Sequence, residues 1–332
     1  MRIEQVPALP KPLPRVIVGA ASMGSVLPPS LVSVSTRARA FAHLDELFAA
    51  GCTAFDTAAF YQAGGSERLL GEWLEARKNR DQLFLITKGA HPNPALPLSR
   101  FNPKAVTEDL HASLRRLRTD HVELYLLHRD DPKRPFEALV ELLSRFHREG
   151  KIGAWGVSNW KVDRIQGAVE YARAHGLVPP AASSPHFSLL EWVHRPWPGT
   201  VSIAGDAARE ARAFHQRTQL PVLAWSPLGR GFFGDRVHEG VRPGVIDIAT
   251  RLMLRAYGSP ANFARKRRAE ELAKKHGVSA AQIALAWLFH QPFPVFAVVS
   301  ASTAEKMKRN IAAAELELTQ AEVAFVESGE PL

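Results

Sequence analysis

Residues 55–70 read FDTAAFYQAGGSERLL, and this stretch decides the fold that the sequence predicts. The run 51–56, GCTAFD, is small or apolar and ends on a carboxylate. That pattern predicts a buried strand with Asp56 at its carboxyl end. Tyr61 follows on a predicted loop, and the GGS of residues 64–66 predicts a turn and the N-cap of a helix. The arrangement is a candidate acid site, although each residue alone also fits a helix cap or a half-buried ring.

Two further apolar runs end on a polar side chain in the same way. Residues 83–88, LFLITK, end on Lys88, and residues 122–128, VELYLLH, end on His128. In a parallel barrel the carboxyl ends of the strands share one face, where active sites are found. We therefore expect these two side chains and Asp56 to meet at that face.

Tyr61, Asp56, Lys88 and His128, which we call the tetrad, form a chemically coherent set. A tyrosine hydroxyl has an ordinary pKa of about 10, so it is a poor acid at neutral pH unless a nearby cation favours the phenolate. Lys88 can supply that cation, and Asp56 can hold Lys88 in place. His128 can orient or polarise a carbonyl group.

Five motifs, in this order along the chain, resemble those of the aldo-keto reductase family. They are FDTAAFYQAGGSERLLG at 55–71, LITKGA at 85–90, LYLLHRDDP at 124–132, GVSNW at 156–160 and LAWSPLGRG at 223–231. The resemblance extends from about residue 16 to residue 319. It implies an α/β fold, a (β/α)8 TIM barrel that uses a nicotinamide cofactor without a Rossmann domain. It also implies that Tyr61 is the proton donor and that Asp56, Lys88 and His128 are its partners.

The alternation of strand-like and helix-like segments predicts one barrel domain over residues 1–332, with long βα loops and extra C-terminal helices. Residues 1–14 are proline-rich, and we expect them to be irregular and to cap the barrel floor. A helix is expected over residues 36–50 with Thr36 as its N-cap. Residues 187–206 are expected to be an aromatic-rich insertion, and residues 227–260 a long glycine-rich loop.

Composition limits the function classes. The chain has 332 residues, 46% of them hydrophobic, and a net charge of +9, which would attract phosphorylated ligands. Lys and Arg are scattered, so a nucleic-acid partner is not expected. Cys52 is the single cysteine, which fits a reducing cytoplasm. No signal-peptide-like segment, apolar membrane span or metal-ligand spacing is visible, and a monomer or small homo-oligomer is expected.

No G-x-G-x-x-G motif follows a strand, so a Rossmann site has no support. Ser158 and Asn159 could bond a carboxamide, but they could equally be helix caps, since a helix is expected from about residue 161. Trp225 could simply pack in the core. The family resemblance implies instead that Ser158 and Asn159 contact the nicotinamide and that the Trp225 ring stacks on it.

The resemblance also implies contacts with the rest of an NADP cofactor. The pyrophosphate loop would comprise Ser226, Leu228 and Arg230. The segment after the last strand would bind the adenosine end, with Ser302 and Lys306 at the 2′-phosphate and Asn310 at the adenine. A capped helix with a solvated basic face is the plainer alternative for this segment, although a helix N-terminus also suits phosphate.

Three positions differ from the family pattern. Ser184 stands where Gln is common, which affects one carboxamide contact. Ser300 stands where Gly is common, and Trp225 where Tyr is common. The tetrad itself matches.

The leading hypothesis is an NADP-dependent oxidoreductase that reduces an aldehyde or ketone, or oxidises an alcohol or sugar, with Tyr61 as the general acid or base. The alternative is a nucleotide-binding regulatory subunit on the same fold, because fold does not fix function. The intact tetrad favours the enzyme. Aromatic side chains and the loop 89–101 are expected to wall the substrate pocket; the aromatics are Trp160, Trp192, Trp197, Phe232 and Phe233.

Overall fold

A closed barrel of eight parallel strands forms the centre of the molecule, as a computed structural model shows for residues 2–27, 29–93, 99–234, 237–240 and 247–331. The last strand pairs with the first and closes the barrel. The strands are β3 (Val16–Gly19), β4 (Ala54–Asp56), β5 (Phe84–Gly89), β6 (Val122–Leu127), β7 (Ile152–Ser158), β8 (Ser183–Ser184), β9 (Val222–Trp225) and β10 (Val295–Val299). The predicted fold class is confirmed.

Helices alternate with the strands and cover the outside of the barrel. They are α1 (Val34–Ala49), α2 (Gly65–Arg77), α3 (Pro103–Leu117), α4 (Glu137–Arg148), α5 (Val162–Ala174), α6 (Arg209–Thr218), α7 (Ile248–Tyr257), α8 (Pro260–His276), α9 (Ala280–Phe289), α10 (Ala304–Ala312) and α11 (Gln320–Ser328). In the part of the chain that the structure describes, no helix is long and apolar enough to cross a bilayer.

Strand register decides which side chains reach the interior. Successive side chains in a strand alternate between its two faces. On β5, Phe84 and Ile86 belong to the apolar cluster inside the barrel, as do Leu124 and Leu126 on β6. The next residue of the same row on β5 is Lys88. The polar ends of the predicted strands are therefore the last members of inward-facing rows.

The amino-terminal segment differs from the irregular structure that we expected. β1 (Ile3–Glu4) and β2 (Leu13–Pro14) form an antiparallel hairpin, and Val6 and Leu9 between them are buried. Proline is tolerated here because an isolated pair of strands has a free edge on each side. These side chains pack against the interior cluster, so the segment caps the barrel floor as predicted.

Two helix assignments also differ from the prediction. The N-cap of α1 is Ser33, whose hydroxyl accepts from the amide of Thr36, so Thr36 is inside the helix. The helix α7 lies within the region expected to be a loop, and Asp247 caps it by accepting from the Thr250 amide. The several glycines that precede Asp247 in the sequence indicated a loop, so this N-cap was not predicted. Residues 94–98, 235–236 and 241–246 of the two long predicted loops lie outside the described residues.

The start of α2 agrees with the turn and N-cap predicted at residues 64–66. Gly64 is its N-cap, with a left-handed φ of 81°, and Ser66 is buried inside the helix. The Ser66 hydroxyl donates to the carbonyl of Ala20 instead of capping. A Cβ on Gly65 would lie 1.8 Å from the Ser25 carbonyl oxygen, so the helix can approach this loop only with glycine there.

Candidate active site

A cavity of about 740 Å³ opens at the carboxyl ends of the strands. Each of the eight barrel strands contributes one residue to the floor of this cavity, either its own last inward-facing residue or the residue directly after the strand. In strand order these residues are Gly19, Asp56, Lys88, His128, Ser158, Ser184, Trp225 and Val298. The inward-facing rows of all eight strands therefore end at this one cavity.

Lys88 connects three groups at the cavity floor. Its Nζ donates to Asp56 Oδ1 at 2.5 Å and to the carbonyl of Thr57 at 2.9 Å. It also lies 3.4 Å from the Tyr61 hydroxyl oxygen. Lys88 and Asp56 are each only 3% exposed, so the ion pair is shielded from solvent screening. The structure thus brings Asp56, Tyr61 and Lys88 into direct contact.

A tight turn delivers the Tyr61 side chain to the cavity. Residues 61–64 form a 3-10 turn in which Gln62 and Ala63 have left-handed φ angles of 50° and 51°. The Tyr61 ring then meets the His128 ring edge to face, with centroids 5.5 Å apart and planes at 87°. All four members of the tetrad therefore lie together. The sequence of β4 does not reveal the path of the loop that follows it, so the position of Tyr61 became clear only from the structure.

Electrostatics keep Tyr61 protonated in this cavity. Burial raises the pKa of Tyr61, and the nearby Lys88 charge lowers it by less, so the net direction is upward. Lys88 favours the phenolate as expected, but desolvation is the larger effect. Burial lowers the pKa of Lys88, but Asp56 and Tyr61 together raise it above its ordinary value, so the ammonium stays charged.

His128 is a neutral imidazole. Burial lowers its pKa well below the ordinary value, and the charges of Lys88 and Arg129 lower it further. Its Nδ1 is buried, with no hydrogen-bond partner among the described residues, and the same holds for Oδ2 of Asp56. A neutral ring can donate one hydrogen bond and accept another, which suits the polarisation of a bound oxygen.

Asn159 ties together the side of the cavity opposite Tyr61. Its Oδ1 accepts from the Trp225 indole and from the Val201 amide, both at 3.2 Å. Its Nδ2 donates to Ser158 Oγ at 2.9 Å and to the carbonyl of His128 at 3.3 Å. Neither Ser158 nor Asn159 caps a helix, because α5 begins at Val162. The helix-cap alternative for this pair is therefore wrong.

Backbone strain also marks the cavity rim. Ala90, Asn159 and Ser226 directly follow β5, β7 and β9, and each has a left-handed φ, of 60°, 61° and 51°. Non-glycine residues in this conformation are uncommon and collect at functional sites.

The remaining predicted cofactor residues occupy a more open surface. Ser226 lines the cavity, Leu228 is half-buried, and the exposed Arg230 places its guanidinium 5.3 Å from the centre of the Trp197 ring. At the start of α10, the exposed Lys306 donates to Ser302 Oγ at 3.2 Å.

Asn310, the last predicted cofactor residue, lies one turn further along α10. It is buried. The residues expected around an adenosine end thus follow each other around α10 rather than lining the cavity.

The expected aromatic wall is largely absent. Phe232 and Phe233 are core residues, and Trp160 packs between Phe101 and Phe136. Of the predicted aromatics, Trp197 alone lines the cavity in the described structure. The sequence could not separate core aromatics from cavity aromatics, because both look alike in a pattern.

The sequence analysis missed Phe60 as a cavity aromatic and included His91 only within the loop 89–101, of which residues 91–93 line the cavity. Phe60 stacks on His91, with ring centroids 3.8 Å apart, and His91 in turn meets the edge of the His128 ring at 4.8 Å. Both lie just beyond strand ends, on loops. The available signal was their position in the sequence, since Phe60 lies within the quoted motif 55–71 and His91 directly follows the motif 85–90.

His186 is a further missed residue, on the chain just after β8. It is fully buried and stacks on Trp192 at 4.5 Å. Its ring nitrogens contact the Ser202 hydroxyl at 2.8 Å and the Tyr257 hydroxyl at 3.1 Å. Burial lowers the pKa of His186 to about 3, so it is neutral. It supports the Trp225 ring from behind, 5.2 Å away.

Comparisons with known proteins agree with this geometry. Residues 15–330 match the model of the aldo/keto reductase family. The chain is 32% identical to norsolorinic acid reductase stcV of Emericella nidulans, over 89% of this chain and 73% of that protein. It is 27% identical to a putative voltage-gated potassium channel subunit beta of Schizosaccharomyces pombe, over 80% and 76% of the two chains.

A solved structure gives the same result. The aldo-keto reductase from Klebsiella pneumoniae in complex with NADPH superimposes with a TM-score of 0.70. It is 25% identical, and the match covers all of this chain and 96% of the other. The chain therefore belongs to the aldo/keto reductase family of oxidoreductases.

Proposed function

We propose that the protein transfers a hydride between NADP and a carbonyl or alcohol substrate, with Tyr61 as the general acid or base. One observation carries this proposal: the Lys88 ammonium lies between the Asp56 carboxylate and the Tyr61 hydroxyl, at 2.5 and 3.4 Å. Structural ion pairs are common, but a buried one that ends on a tyrosine hydroxyl in a cavity has a chemical use.

The proton transfer follows from this contact. In the reducing direction the nicotinamide, when bound, supplies the hydride to the carbonyl carbon. Tyr61 gives its hydroxyl proton to the carbonyl oxygen, and the electron pair of the O–H bond stays on the phenolate. Lys88 stabilises that negative charge as it forms, and Asp56 holds Lys88 in place. In the oxidising direction the phenolate takes the proton back.

His128 and the cavity wall orient the substrate. The neutral His128 ring stands edge to face with Tyr61, so an oxygen placed between them can accept from both groups. Asp56, Lys88 and His128 are buried, which strengthens the electrostatic interactions among them. This role for His128 needs no charge on the ring, in agreement with the direction of its pKa.

The cavity residues fit a nicotinamide cofactor. The Trp225 ring, supported by Asn159 and His186, offers a flat apolar surface at the floor. The hydroxyl of Ser158 and the amide of Asn159 lie beside it and would bond the carboxamide, in exchange for the contact that the Asn159 amide makes with Ser158 Oγ. Ser226, Leu228 and Arg230 would hold the pyrophosphate, to which a guanidinium is suited by charge and geometry.

Discrimination for NADP would come from α10. Lys306 and Ser302 are exposed and in mutual contact, and no carboxylate pairs with Lys306 among the described residues. Arg309 lies beside Glu305 at 3.5 Å and is the less available cation. Asn310 would contact the adenine. The NADPH complex of the Klebsiella pneumoniae relative supports this cofactor.

A turnover assay tests the proposal. Purified protein is mixed with NADPH and a reactive aldehyde, and cofactor oxidation is followed at about 340 nm. We expect turnover that Tyr61→Phe abolishes almost entirely. Binding of NADPH without turnover, over a panel of aldehydes, ketones and alcohols, would contradict the enzyme. That result would favour the alternative, a nucleotide-binding regulatory subunit. The Schizosaccharomyces pombe relative is named as a putative channel subunit.

A further inference from the structure

Arg129 is a cation in the cavity that the mechanism above does not use. It follows His128 at the end of β6, is half-buried, and lines the same cavity as Tyr61. Its Nη1 donates to the carbonyl of His128 at 3.2 Å. Within the described residues it forms no ion pair with a carboxylate.

The neighbouring acids are already engaged. Asp130 forms a two-point contact with Arg164, at 2.8 and 3.1 Å. Asp131 lies 3.3 Å from Arg134. The segment 94–98, which follows the cavity residue Asn93 in the chain, contains no Asp or Glu in its sequence. Among the described residues, therefore, no carboxylate pairs with Arg129.

The remaining charges of the cavity cancel. Asp56 and Lys88 form an ion pair, Tyr61 is protonated, and burial lowers the pKa values of the two histidines, His91 and His128. Burial also lowers the pKa of Arg129, but a guanidinium with an ordinary pKa of about 12 or more stays charged near neutrality. The described residues that line the cavity therefore carry one net positive charge, on Arg129. An unpaired, partly desolvated cation is costly, and a ligand anion would remove that cost.

Arg129 lies on the substrate side of the barrel. β6 and β10 are opposite each other, because three strands separate them in either direction around the barrel. The proposed 2′-phosphate site follows β10, so Arg129 is remote from it. On its own side, Arg129 lies near the insertion that carries Trp197: a Cβ built on Gly199 would be 3.9 Å from Arg129 Cδ.

We propose that Arg129 binds an anionic group of the substrate, so that the preferred substrate is a carbonyl compound that also carries a carboxylate. A guanidinium can bind a carboxylate through two parallel hydrogen bonds, which fixes the substrate's orientation as well as its affinity. Phe60, His91 and Trp197 would contact the apolar body between the two ends. The inference rests on the proposed hydride-transfer function and specifies its substrate class.

The test compares two aldehydes of the same shape, para-carboxybenzaldehyde and its neutral isostere para-formylbenzamide. The measured quantity is the ratio of their kcat/KM values, because the intrinsic reactivity of each aldehyde cancels when this ratio is compared between variants. Arg129→Gln removes the charge, and Arg129→Lys keeps the charge without the planar fork. Arg209→Gln, at an exposed arginine of α6, controls for the loss of one surface charge.

We expect Arg129→Gln to lower the acid-to-amide ratio about tenfold to a hundredfold, mostly through KM of the acid. Arg129→Lys should lie in between, and Arg209→Gln should match the wild type. An unchanged ratio in Arg129→Gln, or an equal loss for both aldehydes, would overturn the inference and leave hydride transfer intact.

Failure of the proposed function would look different. It would appear as no reduction of either aldehyde by the wild type. The anion site is then read from quenching of tryptophan fluorescence by benzoate and by benzamide. Selective binding of benzoate that Arg129→Gln removes supports the site, and equal binding of the two compounds overturns it.

Discussion

The tetrad and the amino-terminal end of α10 are two predicted ligand sites that are built in opposite ways. In the tetrad, one buried ammonium contacts a carboxylate, a carbonyl and a hydroxyl. At α10, Lys306 and Ser302 are exposed and contact each other. The first site is preorganised by the barrel, whereas the second would gain its partners only if a ligand binds there.

Because one site is buried and the other exposed, the two should respond differently to mutation. A preorganised, desolvated site loses much when one member is removed, because the others were arranged around it. An exposed helix end loses about one hydrogen bond, because water replaces the contact.

The largest effect is expected for Tyr61→Phe. Removing one hydroxyl should lower kcat by about 10²–10⁴-fold while the fold and cofactor binding persist, because general acid catalysis has this magnitude. The measurement is the steady-state rate with NADPH and a reactive aldehyde, with cofactor binding checked by fluorescence quenching. Tyr171→Phe is the matched control, since that hydroxyl donates to Glu141 on the barrel's outer surface. A variant with the wild-type rate would remove Tyr61 from the mechanism and leave His128 as the candidate acid.

A smaller effect is expected for Lys306→Ala. The variant should weaken NADPH binding about tenfold to a hundredfold and leave NADH binding nearly unchanged, because a charge-assisted hydrogen bond is worth about 1.5–3 kcal/mol. Dissociation constants for both cofactors check this. Lys308→Ala, at another exposed lysine of the same helix, is the control. An equal loss for NADPH and NADH would show that Lys306 contacts something other than the 2′-phosphate.

The smallest expected effect is in the pH profile. Burial and the Lys88 and Arg129 charges lower the pKa of His128, so the ring should stay neutral and kcat/KM for reduction should be flat between about pH 6 and 8. Reduction requires protonated Tyr61, whose pKa is raised by burial, so the rate should fall only at more alkaline pH. The oxidation of an alcohol requires the phenolate and should instead rise with pH. A rate inflection near pH 6.5 that His128→Gln removes would contradict the neutral ring.

Much of the fold was predictable because its signals are local. Apolar runs that end on Asp56, Lys88 and His128 predicted three neighbouring strands, and the structure has them within a few residues. The hairpin of β1 and β2 and the helix α7 were missed. Each depends on a short signal, two paired residues in one case and the Asp247 cap in the other, within a segment dominated by Pro or Gly.

The candidate site was predictable only where its residues lie at the ends of strands, because those positions can be read from local sequence. The strand ends gave the tetrad, but the residues around it come from loops whose path only the tertiary structure fixes. Phe60 and His91 meet because the loops after β4 and β5 converge. His186 packs against the Trp225 ring, and its Nε2 contacts the hydroxyl of Tyr257, on a helix some 70 positions away in the chain. No periodicity in a single sequence carries that information.

If Lys88 acts through the hydroxyl of Tyr61, the two side chains should be coupled in catalysis, and a double-mutant cycle measures that coupling. The single variants Tyr61→Phe and Lys88→Met should each lower kcat strongly. Because both act on one proton, the double variant should be scarcely slower than the slower single variant. Losses that multiply, after NADPH binding has been confirmed for all three variants, would show that the two residues act independently and would contradict the account.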